Sequence, residues 1–170
     1  MATRVFLGLG SNRGDSRAIL GSAVAELRKH LDEVRSSSIW KSAPLYLADQ
    51  PFFLNLVVEA WTELTPQALL DLTSGIEAQF GRNRSQERNK GPRNLDIDIL
   101  LYGSRQVTSE SLTIPHPRIS ERKFVLLPLL EIAHDLVHPV TGLAFSSLLA
   151  ELQAQGIYLL LPPRYDLLYI

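Results

Sequence analysis

The chain has no cysteine among its 170 residues, which removes disulfides, thiolate nucleophiles and cysteine-ligated zinc together. No sign of charge dominates: 17 lysines and arginines against 18 aspartates and glutamates leave a formal net charge of -1. That balance argues against a general nucleic-acid or membrane-surface binder. No apolar run approaches the length of a membrane span, and residues 1–4 lead straight into VFLGLG with no room for a signal peptide. The cytoplasm is the expected location. No internal repeat or low-complexity linker divides the chain, so residues 1–170 are read as a single domain, large enough for one core and no more.

What is present is concentrated. The stretch GRNRSQERNKGPRNLDIDILLY, residues 81–102, sets Arg82, Arg84, Arg88, Lys90 and Arg93 against a single Glu87, immediately before two aspartates in an apolar run. Leu95, Ile97, Ile99 and Leu101 alternate with Asp96 and Asp98, a period of two that puts both carboxylates on one face of a strand and the branched chains on the other. Positions two apart on a strand are separated by roughly 6.5 Å. The two carboxylates can therefore converge on one or two hard cations that also hold phosphate oxygens. Alone they would repel a polyphosphate; with Mg²⁺ they would recruit it, and the neighbouring cations would grip it. An arginine-rich loop by itself is usually solvated surface, and an aspartate on a strand is often an edge residue. The adjacency of the two favours an active site.

Taken in order, residues 5–9 form an apolar strand closed by the turn GSNRGD, with Asp15 or Ser16 placed to cap a following helix. That turn lacks the Gly-Lys-Ser/Thr of a P-loop and misses the dinucleotide-binding spacing, so its expected role is geometric. Ile19, Leu20, Ala23, Val24, Leu27 and Leu31 recur at three and four, the stripe of an amphipathic helix. Residues 34–42 read as one strand. Residues 43–51, with Pro44 and Pro51, read as a long loop of the kind that forms lids. Residues 52–62 are a strand with Leu54, Leu56, Val58 and Ala60 on its apolar side and Asn55 on the mixed side. Thr65-Pro66 opens a second helix ended by Gly81, with Asp71, Thr73, Ser74 and Glu77 on its solvated surface.

With the strand at 95–102 the order is βαββαβ. This is an α+β, ferredoxin-like core: an antiparallel sheet with helices on one face and the other face partly open, where the two aspartates need to be. A small hairpin over 106–114, a helix over 121–133 kinked or broken at Pro128, a short helix over 146–155 and an edge strand over 157–161 complete the chain. His134 and His138 have the i, i+4 spacing of half a zinc site, but their flanks, Asp135 and Pro139, favour an ordinary helix terminus.

Four stretches carry a resemblance: GLGSNRGD at 8–15, DQPFFLN at 49–55, GPRNLDIDILLYG at 91–103 and LTIPHPRISERKFVLLPLLEIA at 112–133. In these the chain resembles the 6-hydroxymethyl-7,8-dihydropterin pyrophosphokinase family of folate biosynthesis. The resemblance implies transfer of an intact diphosphate from ATP to the pterin hydroxymethyl group, with AMP released and two Mg²⁺ ions. It implies a cytoplasmic monomer whose partners are ATP and 6-hydroxymethyl-7,8-dihydropterin, with neither nucleic acid nor membrane. By matching position, Asp96 and Asp98 would hold the metals, and Arg82 and Arg93 would stabilise phosphate charge in transit. Glu77, Arg84, Arg88, Ile99, Thr113, His116 and Arg122 would serve ATP. Phe53 and Phe124 would stack on the pterin, Asn55 would bind its rim, and Ser42 and Leu45 would close over it. The chain departs from the family at Phe53, where tyrosine is familiar, and in its arginine-rich loop. There a tryptophan before Gly-Pro-Arg is missing and Asn89-Lys90 looks one residue longer.

Two other readings stay open on the residues alone. One is a ferredoxin-like module for single-stranded RNA, which the paired aspartates oppose. The other is a different Mg²⁺-dependent nucleotidyl or phosphoryl transferase, which the reaction products would distinguish.

Overall fold

The computed structural model describes residues 1–44, 49–81, 93–153 and 155–161. Strand β1 (Thr3–Ser11) leads into helix α1 (Ser16–Leu27), whose first turn is capped by Asp15: its Oδ1 accepts from the Ala18 amide at 3.1 Å. Strands β2 (Asp32–Ser36), β3 (Ile39–Ser42) and β4 (Phe53–Thr62) follow. Helix α2 (Pro66–Gln79) begins with Thr65 Oγ1 accepting from Ala68 at 3.2 Å and Pro66 in its first turn, where no amide is required. Gly81, at φ +82°, turns the chain out of it. Strand β5 (Asp96–Tyr102) then runs into the hairpin β6 (Val107–Thr108) and β7 (Thr113–Ile114). A 3-10 turn at Ile119–Glu121, helices α3 (Lys123–Ile132) and α4 (Phe145–Glu151), and strand β8 (Ile157–Leu161) complete the described chain.

The main sheet is antiparallel in the order β5-β1-β4-β3-β8, with β2 also on β4. β1 lies between β4 and β5, as the ferredoxin-like arrangement requires. Leu56, Val58 and Ala60 of β4 face α1 and α2, where Leu20, Leu27, Leu69 and Ile76 close the principal core. Among the described residues, no helix is long and apolar enough to cross a membrane.

Several expectations are corrected. The single strand expected over 34–42 is two. Ser37 Oγ donates to Ser38 O at 2.8 Å and accepts from Val57 N at 2.9 Å, so a side chain replaces a rung of the ladder and breaks the strand. The mixed face of β4 is not merely polar. Phe6, Val57, Leu100 and Leu101 pack there against Leu126 and Leu129 of α3 and Phe145 of α4, a second core on the side expected to be open. Among the described residues, the part of that face around Asp96 and Asp98 lines a cleft. α3 continues through Pro128 without a break. Thr73 and Glu77, expected in solvent on α2, are 1% and 2% exposed and face the sheet. His134 and His138 lie beyond α3, not on it: His138 sits in a turn whose flanks Val137 and Ala144 form a bridge.

The strict alternation of β5 also fails at one place. Phe6 pairs with Leu101 and Leu7 with Ile99, so Leu100 is an extra residue, a bulge. Leu101 consequently turns to the second core, away from Ile97 and Ile99.

Candidate active site

β5 and β1 build the floor of the site. Asp96 lies opposite Gly10 and Asp98 opposite Gly8, and both aspartates face a cavity of about 410 Å³. The glycines keep that floor open: a Cβ on Gly10 would stand 3.4 Å from Asn55 Oδ1, and one on Gly8 3.4 Å from the Leu100 side chain. The bulge then places an imidazole beside the aspartates. His116 N donates to Leu100 O at 3.0 Å, which brings His116 Nε2 to 3.6 Å from Asp98 Oδ2.

The two aspartates of this corner are held differently. Arg93 Nη1 donates to Asp96 Oδ2 at 2.6 Å. Asp98 has Arg122 Nη1 at 3.6 Å and otherwise faces the cleft. Withdrawal from bulk water, and then the neighbouring Asp96 carboxylate, push Asp98 up to about 7, with Arg122 opposing. Although 37% of its side chain is open to the cleft, the direction is the one that two adjacent carboxylates under a protein wall demand. His116 moves the other way: burial, followed by the nearby Arg122 cation, takes it down to about 4. Its Nδ1 accepts from the Arg118 amide at 3.1 Å, so the neutral ring carries its proton on Nε2 and presents it to the cleft. Burial also lowers the proton affinity of Arg122, whose buried Nε has no partner among the described residues.

Two adjacent carboxylates facing one cavity are hard oxygen donors that suit Mg²⁺, which prefers one or two protein carboxylates and completes its shell with phosphate and water. Among the described residues, no group of three or more His, Asp and Glu could hold a metal unaided. The donor set therefore fits an ion delivered with a polyphosphate.

The same cavity is also lined by Phe53, Asn55, Ser42 and Phe124. Asn55 is 5% exposed, and its Nδ2 donates to Ser42 Oγ at 2.8 Å. The expected aromatic pair and its amide thus share one cavity with the expected metal ligands, although β4 and α3 are far apart in the chain. Ile99 has its side chain in the principal core, and Thr113 is exposed on the β6–β7 hairpin; neither lines the cavity. Glu77 works from beneath: its Oε1 accepts from Ile97 N at 2.7 Å, between the two aspartates. Arg82, Arg84, Arg88, Leu45 and the Asn89-Lys90 loop lie outside the described residues.

A family model described as 7,8-dihydro-6-hydroxymethylpterin-pyrophosphokinase (HPPK) matches residues 6–134, which include every residue that lines the cavity. The chain belongs to the HPPK family. It is 46% identical over 157 residues to the 2-amino-4-hydroxy-6-hydroxymethyldihydropteridine pyrophosphokinase of Methylorubrum extorquens, covering 91% of this chain and 97% of that one. The enzyme of the same name from Bacillus subtilis is 44% identical over 139 residues, 81% and 82% of the two chains. The folic acid synthesis protein fol1 of Pneumocystis carinii is 42% identical over 162 residues; these are 95% of this chain but only 22% of that much longer protein. A solved structure of Plasmodium falciparum HPPK-DHPS superposes with a TM-score of 0.70 at 16% identity, over 89% of this chain and 45% of the other. That likeness is one of fold.

Against the HPPK expectations, four contributors to the site were not legible in the sequence. Arg118 and Gln50 line the cavity. Asn12, 4% exposed, donates to Gln50 Oε1 at 3.0 Å and Pro51 O at 3.1 Å and accepts from Arg93 N at 2.9 Å, joining three loops. Glu131 of α3 accepts from Ser38 N, Ser38 Oγ and Trp40 Nε1 at 2.8, 2.6 and 3.0 Å, holding β3 against the helix. All four lie in the stretches that carry the resemblance, but those stretches assign them no role and mark no partners across the fold.

Proposed function

We propose that the chain transfers the diphosphate of ATP to the hydroxymethyl group of 6-hydroxymethyl-7,8-dihydropterin, releasing AMP, as a single-domain monomer in the cytoplasm. The observation that carries this reading is the joining of two chemistries in one cavity: the charged and polar set Asp96, Asp98, Arg93, His116 and Arg122, and the aromatic and amide set Phe53, Asn55 and Phe124. A flat polar heterocycle needs aromatic faces and a directed amide at its rim, and a polyphosphate needs a cation site flanked by guanidinium groups.

In this reading Asp96 and Asp98 hold two Mg²⁺ ions. Bound there, the metal supplies charge neutralisation for the transferred and leaving phosphate oxygens. Arg93 and Arg122 bind phosphate charge as it shifts, and neutral His116 donates from Nε2. Ile99 offers backbone atoms and Thr113 its hydroxyl to the nucleotide, with Glu77 fixing the strand below Ile99. Arg82 belongs to the same assignment as a partner of Arg93 in stabilising phosphate charge, and Arg84, Arg88 and Leu45 belong to it as closing groups. Phe53 and Phe124 stack on the pterin, Asn55 reads its rim, and Ser42 orients Asn55. The pterin oxygen forms a bond to the β-phosphorus as the bond from that phosphorus to the α–β bridging oxygen breaks. The hydroxyl proton passes to a phosphate oxygen or water. Positioning and charge stabilisation do most of the work.

The test is incubation of the purified protein with ATP, Mg²⁺ and 6-hydroxymethyl-7,8-dihydropterin, with chromatographic identification of products. AMP and a diphosphorylated pterin, both abolished by EDTA, are expected. ADP or free pyrophosphate would instead indicate another phosphoryl or nucleotidyl transferase.

A further inference from the structure

We infer that Gln155, in the segment joining α4 to β8, is a positioning residue that brackets Arg122 and couples the two walls of the cavity. The inference rests on the proposed reading of that cavity and adds to it a residue outside the sequence stretches that built it.

The chain is helical on both sides of Arg122, in the 3-10 turn at Ile119–Glu121 and in α3, yet Arg122 itself is extended, at φ -116° and ψ 102°. Arginine favours helix interiors over the N-cap position that Arg122 holds, and α3 has no side-chain cap from its own N-terminal residue. The cap comes from 32 residues further along. Gln155 Oε1 accepts from Lys123 N at 2.9 Å, satisfying an amide that the helix leaves without a partner, and Gln155 Nε2 donates to Glu121 O at 2.9 Å. An amide donor faces one arm and a carbonyl acceptor the other, so the side-chain amide has only one orientation that fits both.

One side chain thus fixes the peptide groups on either side of Arg122. Without it, the two helical segments are free to merge, and winding Arg122 into a helix would swing its guanidinium off Asp98, now 3.6 Å away. Phe124, whose ring lies 5.6 Å from the Arg122 guanidinium carbon, would turn with it.

The adjacent residue holds the opposite wall. Gly156 O accepts from Ala43 N at 3.3 Å, and Ile157 pairs with Ser42. Residues 155–157 therefore touch both the Arg122–Phe124 wall and the Ser42–Ala43 wall, and they set the spacing between the aromatic ring of α3 and the hydroxyl that orients Asn55.

The test uses the full chain with Gln155→Met, of similar length but without the amide, and Gln155→Glu, which keeps an acceptor for Lys123 N but at neutral pH has no donor for Glu121 O. Hydrogen exchange of the Lys123 amide reads the bracket directly. About tenfold faster exchange is expected in Gln155→Met, with protection largely retained in Gln155→Glu. In turnover assays KM for ATP and for the pterin should rise about tenfold in Gln155→Met, with an intermediate rise in Gln155→Glu and little change in melting temperature. Wild-type protection at Lys123 together with wild-type KM in Gln155→Met would overturn the inference. So would a large loss of melting temperature in both variants without a separate effect on KM, which would make the residue simply structural. Failure of the wild type to turn over would overturn the proposed reaction instead, and the exchange arm would still decide whether the bracket exists.

Discussion

Asp98 sits 3.6 Å from both His116 and Arg122, beside Asp96, in a position that serves a bound cation at the expense of the cation-free fold. Asp98→Asn should lower turnover at least about a thousandfold, because amide oxygen cannot replace a carboxylate toward Mg²⁺ and phosphate. The melting temperature of the metal-free protein should hold or rise, since repulsion with Asp96 is relieved. Steady-state kinetics beside thermal denaturation would check both, and near-full turnover in the variant would remove Asp98 from the metal site. His138 offers a titration remote from the cleft. Its Nδ1 accepts from Val140 N at 3.2 Å and Thr141 N at 3.4 Å while its ring packs on Phe145, and burial lowers its proton affinity. The unfolded chain therefore takes up this proton first. Stability should fall as pH drops below the ordinary histidine value of 6.5 and level off below the depressed folded value. His138→Asn keeps a turn-forming acceptor and should flatten that part of a melting temperature against pH curve; an unchanged slope would exclude His138 as its source.

The strands that present the site depend on carboxylates buried among them. Glu77 of α2 accepts the Ile97 amide from under β5, and it does so at the residue between the two aspartates. Glu77→Ala would leave that amide buried and unpaired, at a cost of about 1–3 kcal/mol. Glu77→Gln retains an acceptor and should restore most of the loss in urea denaturation; equal destabilisation by the two variants would show that the negative charge, not the acceptor, matters. Glu59 of β4 does related work at the other end of the sheet. It is 3% exposed and pairs with Arg4 of β1 and Arg35 of β2. Removing both arginines would strand a buried carboxylate and cost about 3–5 kcal/mol. Glu59→Leu frees two arginines that already reach solvent and should cost clearly less in the same denaturation series. The reverse order would rule out desolvation of the carboxylate as the main source of the loss.

For the whole molecule, the cavity lies where five separate stretches of the chain meet: Gly8–Gly10, Ser42–Ala43, Gln50–Val57, Arg93–Leu100 and His116–Val125. A ligand there should stabilise the whole fold by mass action. At one hundred times its dissociation constant, MgATP should contribute about 2.7 kcal/mol, or roughly 5–10 °C in melting temperature for a chain of this size. ATP with EDTA should give a much smaller shift, because the carboxylates then repel the phosphates. Equal shifts with and without metal would contradict the assignment of Asp96 and Asp98.

Local patterns in the chain alone determined the ferredoxin-like order of the core, a first cap at Asp15 or Ser16, the cap at Thr65, the paired carboxylates of β5 and the basic approach to them. Alternation, capping and charge are short-range properties, and they are written within a few neighbouring residues. Tertiary structure decided what those patterns could not hold. Thr73 and Glu77 look like solvated helix residues until β5 covers them. Leu101 belongs with Ile97 and Ile99 by period, and a bulge at Leu100, set by pairing with β1, moves it to the other face while lending its neighbour's carbonyl to His116. The second core under α3 and α4 turns an open sheet face into a cleft. Asn12, Glu131 and Gln155 find partners up to 93 residues away. A polar side chain carries no local mark of a bond made across the fold, because only the packed sheet and helices bring its partner within reach.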